Sequence, residues 1–156
     1  MNLEFKEITP DNWRKVISLE VKKEQKRFVA ENVGVLARAF AYRKDNSKIH
    51  VLYSGDNPIG LIMQRDFFYK DEINCILDQF MIDKNYQGQG YGRAAMESWI
   101  SMIKVENKYN NIKLCYIKDD LVAEKMYKNL GFIRKLEEDD EDELVMAYKL
   151  YDRNSI

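Results

Sequence analysis

The sequence predicts an α/β fold, a single domain built on a mixed β-sheet with helices on both faces. Three observations predict it. Apolar residues recur at every second position in some segments and at three- and four-residue spacing in others, giving the order β-α-α-β-β-β-α-β-α-β-β. The first strands follow one another as a meander, whereas the later ones alternate with helices. No repeat, low-complexity linker or second domain interrupts residues 1–156, a length that suits one domain.

Residues 3–8, "LEFKEI", alternate and read as a strand. Thr9 reads as the cap of a helix, with Pro10 at its first position, Asp11 in its first turn, and Trp13, Val16, Ile17 and Leu19 as its apolar stripe. A second helical stretch is expected from Glu24 to Tyr42, with Phe28, Val29, Val33, Leu36, Ala37 and Phe40 on one face. Residues 48–54 and 58–67 read as strands around a "GDN" turn. Residues 74–83 form a mostly apolar strand, expected to be central. The helix that follows carries Ala95, Met96, Trp99, Ile100 and Ile103 on one face. Residues 112–117 are a strand, and 119–131 a helix capped by Asp119 or Asp120 and ended by Gly131. "FIRKLE" and "ELVMAYKLY" flank an acidic run as an antiparallel pair.

Composition narrows the function classes. The 46% hydrophobic content can fill a sizeable core, yet no apolar run reaches the ~18 residues that span a membrane. The first residues lack a basic segment followed by an apolar stretch, so no secretory signal and a cytoplasmic protein are expected. Cys75 and Cys115 lack metal-ligand spacing; both lie in strand-like runs and read as buried free thiols. No metal is expected. The formal net charge of −1 hides an asymmetry, because residues 137–143 read "EEDDEDE". With those seven set aside, the other acids are outnumbered by the 25 Lys and Arg. The run reads either as a solvated loop or as an acidic place for a cation. No basic stripe dominates, which argues against nucleic acid.

The informative stretch is "DKNYQGQGYGRAAM" (83–96), with glycines at 88, 90 and 92 between a strand and a helix. A helix N-terminus presents unpaired N–H groups and partial positive charge, so this turn is an anion site suited to phosphates. It is not a P-loop, since Gly92, Arg93 and Ala94 stand where Gly-Lys-Ser/Thr is required. It is not a dinucleotide fingerprint either: Arg93 occupies the third glycine's place.

Gln87, Gly90 and Gly92 fit a Gln/Arg-x-x-Gly-x-Gly pattern, and "AEKMYKNLGF" (123–132) fits Ala-x-x-x-Tyr-x-x-x-Gly-Phe. The two motifs, in this order and within this element sequence, resemble those of the GCN5-related N-acetyltransferase (GNAT) superfamily over nearly the whole chain. The resemblance implies a splayed sheet with acetyl-CoA entering between strands 74–83 and 112–117. It implies that backbone groups of Phe80, Met81 and Ile82 pair with the pantetheine amides and that Gln87, Gly88, Gln89, Gly90, Tyr91, Gly92 and Arg93 hold the pyrophosphate. Asp120 stands where the superfamily often has Asn, so its pantetheine contact is weakened; Lys125 and Lys128 either reach a CoA phosphate or solvate their helix.

The resemblance implies direct attack by an amine on the thioester in a ternary complex. An alkyl amine has a pKa near 10, so about one molecule in a thousand is free base at pH 7, a cost of about 4 kcal/mol. Asp78, an acid in an apolar strand, is the candidate base, against the alternative of a structural pairing with a basic neighbour. Tyr127 matches the superfamily's general acid for the leaving thiolate.

Residues 19–40, with Gln25, Phe28, Val29 and Asn32, and residues 77–92 most resemble bacterial spermine/spermidine acetyltransferases. A polyamine site needs carboxylates along a groove and aromatic faces. Glu20, Gln25, Asp71, Glu72 and the acidic run are the polar candidates, with Phe67, Phe68 and Tyr69 as aromatic surface. A protein or peptide N-acetyltransferase, an antibiotic-modifying enzyme and a non-catalytic CoA-binding regulatory module are the alternatives. Homodimerisation is left open.

Overall fold

The computed structural model describes residues 1–151; residues 152–156 of the expected domain lie outside the described residues. The strands are β1 (Glu4–Lys6), β2 (Lys48–Ser54), β3 (Asn57–Tyr69), β4 (Glu72–Ile82), β5 (Asn111–Ile117), β6 (Ile133–Arg134) and β7 (Glu143–Lys149), and the helices are α1 (Trp13–Ile17), α2 (Asn32–Ala41), α3 (Tyr91–Glu106) and α4 (Leu121–Leu130). One sheet holds all seven strands in the order β1-β2-β3-β4-β5-β7-β6. Among the described residues, only the β4–β5 pair is parallel. The expected mixed α/β sheet is therefore present.

Two cores lie on opposite faces. Ile59, Ile62, Leu77, Ile112 and Leu114 pack with Met96, Trp99, Ile100 and Ile103 of α3 and Tyr127 of α4. Val51, Leu61, Met63 and Met81 pack with Val16 and Val35 of α1 and α2. The alternation of Leu61, Ile62 and Met63 between the two cores is the period of a strand buried on both faces.

Both N-terminal helices are shorter than the apolar spacing suggests. Asn12 accepts a hydrogen bond from Thr9 N–H and donates to the Glu7 carbonyl, which holds residues 9–12 in a turn, so α1 starts at Trp13. The expected helix from Glu24 to Tyr42 is a 3-10 turn at Lys23–Gln25, an irregular segment, and then α2. Lys26 N–H donates to the Lys23 carbonyl and Phe28 N–H to the Gln25 carbonyl, the spacing of a 3-10 turn and not of an α-helix. Gln25 accepts a hydrogen bond from Lys22 N–H. Trp13, Val33 and Phe40, placed on the apolar faces of these helices, are exposed. Lys70 and Asp71 turn the β3–β4 hairpin with positive φ at both residues.

Two features of β4 position the site. Its parallel pairing with β5 runs only from Asn74↔Asn111 to Leu77↔Leu114; beyond that point the strands part. At the same place a β-bulge interrupts the β3–β4 ladder, since Met63 pairs Gln79 and Gln64 pairs Leu77, leaving Asp78 as the extra residue. The extra residue reverses side-chain parity. Leu77, Phe80 and Ile82 therefore share the α3–α4 side, while Met81 joins the α1–α2 core.

The β3 backbone crosses the end of β4 closely at Gly60, where a Cβ would lie 2.3 Å from the Met81 carbonyl oxygen. Gly60→Ala is expected to lower unfolding free energy by about 2 kcal/mol, within the usual range for overpacking. Chemical denaturation checks it; a variant as stable as the parent would show that the strands can separate there without cost.

Candidate active site

The parting of β4 and β5 opens a cleft of about 1010 Å³ that runs through the sheet. Ile76 to Ile82 of β4 line one wall and Lys113 to Ile117 of β5 the other. β4 remains paired to β3 as far as Ile82, so only its β5-facing edge lacks a strand partner there. Backbone donors and acceptors on that edge are left for an extended ligand.

At one mouth stands the glycine turn. Asp83, at the end of β4, is buried; its carboxylate accepts hydrogen bonds from Asn85 N–H and Glu20 N–H, and its carbonyl from Tyr86 N–H. Gln87 donates through Nε2 to the Ile82 carbonyl and to Gln25 Oε1, both at 2.9 Å. Gly88 and Gly90 have φ of +73° and +87°, backbone that side chains disfavour. Gly90 is the N-cap of α3, with no side chain capping the helix. The first N–H groups of this 16-residue helix therefore point at the mouth uncapped, and Arg93 adds a cation beside them.

The other side of the cleft is charged. Asp78 is 7% exposed, with Oδ2 2.5 Å from Arg65 Nε and Oδ1 3.4 Å from Arg38 of α2. The Arg65 guanidinium lies over Tyr42, 4.6 Å from the ring centre. Lys113 bonds both oxygens of Glu138 at 3.0 Å. Cys115, expected to be buried, is exposed in the cleft, because its face of β5 is left uncovered by the helices that bury Leu114 and Tyr116 on the opposite face. Partial desolvation by the cleft walls and the nearby Glu143 and Asp78 carboxylates raise its pKa, so it is not an activated nucleophile.

Tyr127, on α4, lines the cleft and stacks edge-on against Phe132. Desolvation, with a smaller effect of the Asp120 charge, pushes its phenol well above the ordinary range. The hydroxyl therefore keeps its proton at neutral pH. Asp120 caps α4 by accepting from Ala123 N–H.

The cleft gathers Asp78, Phe80, Met81, Ile82, Gln87, Gly88, Gly90, Gly92, Arg93, Asp120, Tyr127 and Gln25. It does not gather Gln89, Tyr91, Lys128, Glu20 or Glu72. Gln89 donates to the Asn85 carbonyl, the Tyr91 hydroxyl bonds Ser54, and Lys128 pairs with Glu124. Glu20 is tied to Lys84 and Lys26, and Glu72 accepts from Asn111 beside the far end of β4. The acidic run is neither a plain loop nor a free cluster: Glu138 pairs with Lys113, and Asp139 with Arg134 and Val145 N–H. Arg38, Arg65, Lys113 and Gln79 also line the cleft without having been singled out, and Glu143 lines it as the last member of the acidic run. Only the bulge turns Gln79 this way, and no spacing rule announces a bulge. Glu143 could have been noticed as the acid of the run that falls inside a strand.

Among the described residues, no group of three or more His, Cys, Asp and Glu is placed to hold a metal ion, and no helix is long and apolar enough to cross a membrane. A family described as acetyltransferase (GNAT) domain matches residues 45–134. A relative named probable spermine N(1)-acetyltransferase, from Bacillus subtilis subsp. natto (strain BEST195), is 30% identical over 156 aligned positions, covering 96% of this chain and 100% of the relative. The spermine/spermidine N(1)-acetyltransferase of Bacillus subtilis (strain 168) is 29% identical, with the same coverage. Among solved structures, spermidine N-acetyltransferase from Vibrio cholerae, in complex with CoA and spermine, is similar with a TM-score of 0.73 at 16% identity, covering 95% of each chain.

The glycine turn can be tested directly. A Cβ at Gly90 would meet only Met1 Cε, at 3.4 Å, but the positive φ would strain it. Gly90→Val is expected to weaken CoA binding by at least about tenfold, or 1.4 kcal/mol. Calorimetry on the folded variant checks this; unchanged affinity would remove the turn from the phosphate site.

Proposed function

The chain belongs to the GNAT acetyltransferase family, and from that premise we propose that it moves an acetyl group from acetyl-CoA to a primary amine of a polyamine, by direct attack in a ternary complex. The observation that carries the proposal is the fork between β4 and β5, which has an uncapped helix N-terminus at one mouth and a carboxylate at the point of parting.

The residues present fit acetyl-CoA. The free edge of β4 over Phe80, Met81 and Ile82 suits the amides of the pantetheine arm, as an added strand would. The α3 N–H groups, Gly88, Gly90 and Arg93 suit the pyrophosphate. Gln87 acts on the turn rather than on the ligand, since its amide already holds Ile82 and Gln25. Acetyl-CoA supplies the acetyl group as a thioester.

Asp78 takes the proton from the acceptor ammonium. Arg38, exposed and at 3.4 Å, is the looser of its two partners and the one that gives way, while Arg65 and the bulge fix the carboxylate. The C–N bond forms as the C–S bond breaks, and Tyr127 gives its phenolic proton to the leaving sulfur. The raised pKa of Tyr127 keeps the acid form in place on the alkaline side, so this group imposes no loss of rate through about pH 9.

The acceptor side also holds Glu143 and the ring of Phe67, with Glu138 already paired to Lys113. Carboxylates beside aromatic rings suit a flexible polycation. A thiol-release assay with acetyl-CoA should show spermine and spermidine turned over faster than lysine or peptides. A preference for peptides would replace the polyamine with a polypeptide acceptor.

Tyr127→Phe should lower kcat by about 10²-fold or more while leaving CoA affinity largely intact. Steady-state kinetics beside calorimetry separates the two effects. A kcat within about threefold of the parent would remove Tyr127 from proton transfer, since general acid catalysis is worth more than that.

A further inference from the structure

Four carboxylates line the cleft among the described residues. Three are committed within the protein. Asp78 is held by Arg65 and Arg38, Glu138 by Lys113, and Asp120 caps α4. Among the described residues, Glu143 alone of the four enters no ion pair and no side-chain hydrogen bond. The amide of Gln79 is similarly uncommitted: it is 8% exposed, it lines the cleft, and its Nε2 has no hydrogen-bond partner. A buried donor left open in a cleft is a place for a ligand acceptor atom, and the carbonyl oxygen of the transferred acetyl group is one.

Backbone register fixes where Glu143 stands. Ile117 pairs with Glu143 and Cys115 with Val145, so Lys113, Cys115, Ile117, Glu143 and Val145 share one face of β5 and β7. That face adjoins Asp78, which follows the last β4–β5 pair at Leu77↔Leu114. Two strand spacings, two residues of rise and the parting of β4 from β5 put the Asp78 and Glu143 backbones at least about 12 Å apart. A monoamine held at Asp78 cannot reach Glu143. A triamine or tetramine can.

We infer that Glu143 is a specificity-determining residue, which holds the distal ammonium of a polyamine whose reacting amine lies at Asp78. This rests on the polyamine reading of the acceptor. The rest of the acidic run, engaged elsewhere or outside the cleft, contributes no such contact.

The test is steady-state kinetics of Glu143→Gln at saturating acetyl-CoA, with spermidine and propylamine as acceptors. Glu141→Gln, an exposed acid of the same run, is the control. The Asp140 N–H to Glu143 carbonyl bond survives the substitution, so the fold is retained. The KM for spermidine should rise about fivefold, the upper end for an exposed ion pair, with kcat within about twofold. The KM for propylamine should not move, and Glu141→Gln should change neither. An unchanged spermidine KM, an equal shift for both amines, or an equal effect of the control overturns the inference and leaves the polyamine reading standing. A parent enzyme that acetylates no polyamine overturns both.

Discussion

The site depends on one loss of pairing. β4 and β5 are hydrogen-bonded for four residues and then part, and everything chemical in the molecule is arranged around the gap. A sheet pays for such a gap in unsatisfied backbone groups, so the strands must be held on their outer edges. β3 holds β4 to its last residue, and β7 holds β5 along its whole length. The gap is thus built between two ladders that stay intact. A carboxylate on β4 and the helix N-terminus that follows β4 are thereby set at separate points along the same wall.

The bulge at Asp78 belongs to the same construction. Without the extra residue, Leu77, Gln79 and Met81 would share one face, and the apolar and polar halves of β4 could not be sorted to different sides. With it, Phe80 and Ile82 complete the core under α3, while Asp78 reaches Arg38 and Arg65 on the α2 side. The arginines lower the cost of placing a carboxylate where it is 7% exposed. They also mean that charge counted from sequence overstates what the cleft offers a ligand, because most of it is already neutralised within the protein.

The sequence made the frame legible where periodicity or a terminator acts locally. β2 falls on residues 48–54 as read, and α4 ends at Gly131 with Asp120 as its cap. It was less legible where tertiary contacts or charge decide. The apolar stripe of residues 24–42 is genuine, but its first half runs as a 3-10 turn and an irregular segment, which puts Phe28 and Val29 on the cleft wall. The glycine turn and Tyr127 were found because their signatures are short and contiguous. Glu20 and Glu72 were proposed on charge alone, and charge says nothing of direction; both are tied elsewhere. Arg38, Arg65 and Gln79 were missed because their placement depends on a bulge and on how α2 packs.

The outer edge of β7 has a further consequence. β6 pairs with β7 only at Met146 and Ala147. Beside it, Lys135 N–H donates to the Val145 carbonyl, and the Asp139 carboxylate accepts from Val145 N–H. A polar side chain and a stretch of acidic loop therefore take the place of an edge strand. Another chain approaching as a strand would find those backbone groups occupied and would have to bury several carboxylates to displace them. The same acids that crowd residues 137–143 thus keep the open end of the sheet from serving as a template for aggregation.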